Sequence, residues 1–319
     1  MEFGFNMPSR SPQATREGIF TIARRAEQLG YNYLAVTDHI VVPRDITSRY
    51  PYSEDGAFPG KDVGEYVDPL SLMAFLAAAT EDIRLLTSVM VVPYRPAVLT
   101  AKMLATIDVM SGGRITIACG AGWMREEFEA IGAPPYEERG KVTDEYIEVF
   151  RELWTKDDPV FDGDYNKFSN IAFLPKPLQK PHPPIWTGGE SGPALRRAAR
   201  IADGWYPIGA NPRFPLDTIA RYTDKLAEFE SLARGYGRDP GAITRGYWAN
   251  WYQEGNTRTT DTGERMMFTG SDDDVIGDIA GLGQTGVSLA MVNFAARTTD
   301  ETVERMERFA AKIMPHVNG

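Results

Sequence analysis

The sequence predicts an α/β protein of the (β/α)8 TIM-barrel class with insertions in its strand-to-helix loops, and three observations lead there. Eight short apolar runs, rich in β-branched and aromatic residues, are each followed by a stretch of helical period. All eight fit within 319 residues, with no linker, low-complexity segment or repeat beyond the alternation, so 1–319 reads as one domain. The competing architecture, a doubly wound sheet, carries G-x-G-x-x-G after its first strand. Here that position reads Asn6-Met7-Pro8-Ser9-Arg10.

The elements follow in order. The first run is 2–6, and a helix over 13–29 places Ile19, Ile22, Ala23, Ala26 and Leu29 on one face before Gly30 closes it. The second run is 33–37. A long polar segment covers 40–68, and Pro69 opens a helix through Ala79. The third run, 83–89, precedes a helix over 97–110 that stops at Gly112-Gly113. The fourth run is 115–119, with a short helix from near Met124 and a longer one over 141–154. The stretch 157–184 is irregular, and "FDGDYNKF" (161–168) within it resembles a hairpin. The fifth run is 185–187. Gly188-Gly189 then leads to a helix over 194–202, with Ser191 as its expected cap and Pro193 in its first turn. The sixth run is 205–208, with a helix over 216–234. The seventh, 244–251, is followed by a polar loop to Gly270, and Asp272 is expected to cap a helix to Leu282. The eighth run is 287–293, and the last helix spans 300–314.

Composition narrows the function. Hydrophobic residues make up 43% and charged residues 24%, a soluble globular mix. Thirty-four basic against 44 acidic residues give a net charge of −10, which argues against a nucleic-acid partner. No run of about 18 apolar residues predicts a membrane span, and the start MEFGFNMPSR reads as a strand, not a leader. The single Cys119 lies inside a strand run and reads as a small buried hydrophobe; no disulfide can form within the chain, which fits a cytoplasmic setting. Three histidines, with no H-E-x-x-H or C-x-x-C spacing, predict no metal site.

A barrel presents its chemistry at the C-terminal strand ends. Those ends hold Asn6, Asp38 and His39, Thr87 and Ser88, residues 120–123 and 188–191, the stretch near Gly209, and Asn293. The long loops 40–68 and 252–270 cover the same face. The glycine turn at 188–189 is either a plain strand-to-helix connection or an anion site, because a glycine turn feeding free N–H groups at a helix start suits a phosphate.

The chain resembles the luciferase-like flavin and deazaflavin oxidoreductases over nearly its whole length. The resemblance rests on "VTDHI" (36–40), "GGRITIACGAGWMREEFEAIG" (112–132), "RGKVTDEYIEVFRELWT" (139–155), "FDGDYNKF" (161–168) and "PPIWTGGESGPALRRAARIADGWYP" (183–207). It implies a barrel-mouth site for FMN or the deazaflavin F420, with the cofactor phosphate on Gly188, Gly189, Glu190 and Ser191 and Thr187 among the cofactor-binding residues. It implies that Asp38 and His39 lie at the reactive edge of the ring and that His39 is the catalytic residue, handling the proton that accompanies hydride transfer. In F420 members the third strand end, here Thr87-Ser88-Val89, often carries a non-prolyl cis peptide that supports the ring. Ala121, Gly122 and Trp123 would wall the ring pocket, and Arg139 would reach a cofactor tail or stand as a solvated helix-start charge. A glucose-6-phosphate-oxidising F420 enzyme carries an acidic residue in this neighbourhood, where the chain has Trp123 instead, so that substrate is not expected.

Two reactions follow from the resemblance. One is F420-dependent hydride transfer to or from a small organic substrate. The other is an FMNH2-dependent monooxygenase, which needs a separate flavin reductase. Tyr50, Tyr52, Phe58, Trp123 and Trp251 suggest a partly apolar substrate, and the apolar helix residues are compatible with a homodimer. A flavin binder without catalysis is disfavoured by the complete set of eight runs and the strand-two histidine.

Overall fold

The computed structural model describes residues 1–10, 12–60, 66–252 and 254–317. Eight parallel strands close into a barrel: β1 (Glu2–Asn6), β2 (Tyr33–Val36), β3 (Arg84–Val91), β4 (Ile115–Gly120), β7 (Ile185–Gly188), β8 (Gly204–Tyr206), β9 (Thr244–Ala249) and β10 (Leu289–Val292). Each pairs with its sequential neighbour, and β1 closes the ring against β10, Phe5 lying opposite Val292. The remaining two strands, β5 (Phe161–Asp162) and β6 (Lys167–Phe168), form the expected hairpin. The hairpin docks on α5 (Arg139–Thr155), where Glu145 accepts the Asp164 and Tyr165 N–H groups.

The outer layer is α1 (Arg16–Gln28), α2 (Pro69–Ala79), α3 (Ala97–Met110), α4 (Arg125–Ala130), α5, α6 (Gly192–Ile201), α7 (Ile219–Gly235), α8 (Asp272–Gln284), α9 (Thr299–Lys312) and α10 (Met314–Val317). Their starts follow local chemistry. Thr15, Asp68 and Thr218 each accept a first-turn N–H. The cap of α8 is Ser271, not Asp272: Ser271 and Asp274 form a reciprocal capping box. Among the described residues no helix is long and apolar enough to cross a membrane.

Both faces of the barrel sheet are buried. Phe3, Phe5, Leu34, Leu85, Ile117 and Ile185 face the helices, while Tyr33, Leu86, Ala118, Trp186, Tyr206 and Met291 fill the interior. Large interior rings need small neighbours. A Cβ on Gly204 would sit 2.4 Å from Cδ1 of Trp186, so this inward position of β8 must lack a side chain. In β3 the register with β4 shifts between Thr87 and Met90, and the Ser88–Val89 peptide is cis.

Candidate active site

At the C-terminal mouth the interior is capped by small groups. Val89, turned by the register shift, projects between β4 and β7: a Cβ on Gly120 would lie 2.5 Å from Val89 Cγ2, and one on Gly188 2.9 Å from Val89 Cγ1. Ser88 Oγ and the Tyr206 hydroxyl are 3.1 Å apart beneath them. Around this shelf the strand ends carry buried polar atoms that have no hydrogen-bond partner among the described residues: Asn6 Oδ1, Trp248 Nε1 and Asn250 Oδ1. Buried polar atoms are normally paired, so such a ring of orphans beside a glycine gap suits a flat polar ligand.

The turn after β7 is open to an anion. Gly189 has φ +102°, and a Cβ there would meet Ala194 at 2.7 Å. Ser191 occupies the cap position of α6, yet its side chain makes no capping bond, so the first-turn N–H groups keep room for another acceptor. Glu190 turns inward instead. Its carboxylate accepts the Ile208 N–H at 2.7 Å and the Asn211 amide at 3.0 Å, and burial pushes its carboxyl up to about 7. Thr187 lies on the helix-facing side of β7 with Ile185, its buried hydroxyl without a partner among the described residues.

His39 stands at the end of β2 with its side chain 11% exposed. Its Nδ1 lies 2.8 Å from Glu127 Oε2, and Nε2 has no hydrogen bond among the described residues. Glu127 arrives from α4 and has no exposed side-chain surface. The Tyr94 hydroxyl also donates to Oε2 at 2.8 Å, while Oε1 accepts the Ile40 and Val41 N–H groups at 2.7 and 3.2 Å. Its neighbour Glu126 holds the same loop further on, accepting from Thr47 N–H, Thr47 Oγ1 and Ser48 N–H. Burial opposes the charge of Glu126, but these donors prevail and pull its carboxyl down to about 2. The loop beyond β2 is therefore stapled to α4 by two consecutive glutamates.

Aromatic rings enclose the imidazole. Phe58 and Tyr66 lie 5.0 Å from it and Trp123 6.5 Å, with Tyr50 packed on Phe58 and Trp123. Trp251, grouped with these by sequence, is elsewhere: its Nε1 donates to the Met267 carbonyl and its ring packs by Tyr247.

Several candidates take different places from those expected. Asp38 is buried, accepting from both terminal guanidinium nitrogens of Arg95 at 2.9 and 3.0 Å and from the Val91 N–H. Arg95 also bridges to Asp68, so Asp38 and His39 hold different partners, Arg95 for the one and Glu127 for the other. Thr87 faces the helices and donates to the Ala118 carbonyl. Arg139 is half-buried and tied to the backbone beside the site. It donates to the Gly122 and Tyr136 carbonyls and stacks 3.9 Å over the Tyr136 ring, fixing the Ala121-Gly122-Trp123 turn. An acidic side chain does lie near His39 in space: Glu127, four residues after Trp123. Glu127, Tyr94, Arg95 and Tyr206 were not singled out from the sequence. The paired glutamates of "WMREEFEA" and the arginine inside "VVPYRPAV" were the available signals.

The shelf, the orphaned polar atoms and the uncapped glycine turn leave room for a flat polar ligand with an anionic tail. The family model described as luciferase-like monooxygenase matches residues 1–252. Among curated proteins, an FMNH2-dependent dimethylsulfone monooxygenase from Pseudomonas putida is 42% identical over 138 residues, which is 43% of this chain and only 38% of that protein. Among solved structures, monooxygenase RslO1 from Streptomyces bottropensis superposes with a TM-score of 0.76 at 21% identity, covering 99% of both chains. An F420-dependent secondary alcohol dehydrogenase, solved with an F420-acetone adduct, gives 0.75 at 19% identity over 99% of this chain and 98% of the other. At these identities the two structures share the fold.

Proposed function

We propose, from the premise that the chain belongs to the luciferase-like monooxygenase family, that it is an F420-dependent oxidoreductase acting on a small organic substrate. The observation that carries this reading is His39 at the end of β2, held through Nδ1 by a buried carboxylate and leaving Nε2 without a hydrogen bond among the described residues. Bound there, a deazaflavin would supply two-electron hydride chemistry at a carbon centre. The chain's own part is then clear. Val89, Gly120 and Gly188 shape the ring's seat, and the 188–191 turn with the start of α6 receives the phosphate. Nε2 of His39 gives or takes the proton, and the rings of Tyr50, Phe58, Tyr66 and Trp123 exclude water from it. The aromatic wall suits a partly apolar substrate.

A second reading, an FMNH2-dependent monooxygenase with a separate reductase, is favoured by the Pseudomonas relative. The same seat serves either ring. Parallel fluorescence titrations with F420 and FMN separate the two. Micromolar or tighter F420 binding with weak FMN binding is expected; the reverse order overturns the proposal in favour of oxygen chemistry.

A further inference from the structure

We propose that Glu127 is a positioning residue which fixes the neutral His39 ring as its Nδ1–H tautomer, leaving Nε2 proton-free toward the mouth of the barrel. This rests on the reading of His39 as the proton-handling group, and it goes further by assigning the direction in which the resting ring is ready to act. The argument is a count of donors. Glu127 has four neighbours on two oxygens: the Ile40 and Val41 N–H groups on Oε1, and Tyr94 OH and His39 Nδ1 on Oε2. Backbone N–H groups can only donate, and burial together with the adjacent carboxylate keeps the proton on the Tyr94 hydroxyl. An ionised carboxylate only accepts, so Nδ1 must bring its own hydrogen. A neutral imidazole has one N–H, and Nε2 is therefore the bare nitrogen, a proton acceptor for a bound substrate. The same carboxylate holds the first turn of the loop that covers the mouth. Loop position and ring tautomer are thus set by one side chain whose surface is wholly buried.

The tautomer can be read without cofactor. The chain has three histidines, His39, His182 and His316, so long-range proton–nitrogen NMR of the rings is tractable, with His39→Asn identifying the His39 signals. At a pH where the ring is neutral, the wild-type spectrum is expected to show Nδ1 protonated and Nε2 bare. Glu127→Gln keeps the shape but changes the donor count. Its amide oxygen retains the Ile40 and Val41 N–H groups, its NH2 then faces Nδ1 as a donor, and the ring is expected to switch to Nε2–H. Tyr94→Phe removes one donor and should leave the wild-type tautomer in place. A wild-type ring found as Nε2–H overturns the proposal, and this arm stands even where Glu127→Gln does not fold. A folded Glu127→Gln that keeps the wild-type tautomer overturns it too, since a residue that only staples the loop would lower stability without moving the proton. Because no cofactor is present, the outcome is independent of whether F420 or FMN binds.

Discussion

Glu190 should make the protein lose stability as the pH rises toward neutrality. Its side chain is buried in the turn after β7 and its carboxyl is raised from 4.5 to about 7, burial being the largest cause. A folded-state value above the unfolded one means that the folded chain binds the proton more tightly. The folded state is therefore favoured below about 4.5, and that advantage drains away as the pH climbs through about 7. At about 1.36 kcal/mol per unit, the full loss is about 3 kcal/mol. Glu190→Gln removes the titration and keeps an oxygen for the Ile208 N–H, but presents a second NH2 to Asn211, a pH-independent cost of about 1 kcal/mol. Urea unfolding of both chains, followed by circular dichroism from pH 4.5 to 8, isolates the effect, because the other titrating groups cancel in the difference. The variant should be slightly less stable at the acid end and more stable by about 2 kcal/mol at the other. A stability difference that stays constant across this range would refute the reasoning.

Other perturbations test the remaining parts of the site. Gly120→Ala should cost about 1–3 kcal/mol through contact with Val89. Val89→Ala should relieve it, so a thermal-denaturation cycle in which the two changes simply add would contradict the shelf geometry. Asp38→Ala strips Arg95 and the Val91 N–H of a shared buried acceptor and should destabilise by about 3–5 kcal/mol; a loss below about 1 kcal/mol in the same unfolding assay would return Asp38 to a ligand-facing role. The outer face of α3 exposes Leu99 at 53% and Met110 at 69%, with Val98 and Val109 beside them. If this face pairs two copies, sedimentation should report a dimer for the wild type and a monomer for Leu99→Glu; a monomeric wild type removes the homodimer.

The strands and the helices were legible because they carry local signals: a short apolar run for a strand, and for a helix such as α1 an apolar face closed by glycine or for α2 an opening proline. His39 was legible for the same reason, standing where a strand ends. Its partner was not. Glu127 is 88 residues away in sequence and enters from a six-residue helix too short to show a period. Which of two adjacent glutamates turns inward depends on how α4 packs over β3, and no local pattern reports that. Asp38 failed in the opposite sense: its place beside His39 in sequence suggested a shared role, but successive residues leaving a strand point to different sides.

The misplacement of Thr87 and Thr187 has a deeper cause. In a half-exposed strand, alternation of apolar and polar residues tells one face from the other. In a parallel barrel both faces are apolar, so the alternation vanishes and parity cannot be read from hydrophobicity. Size still carries it. Trp186 demands the bare Gly204, and Val89 demands Gly120 and Gly188, so glycines inside strand runs mark the inward face. Counting back by one from Gly188 turns Thr187 outward. By the same parity Gly120 puts Ala118, two residues earlier, in the interior, and in β3 Leu86 lies inward while Thr87 turns to the helices. Bulk complementarity between neighbouring strands is thus a stronger guide to a barrel's site than the polarity of the candidate residues, because it is the packing of the interior that decides which strand ends open onto the mouth.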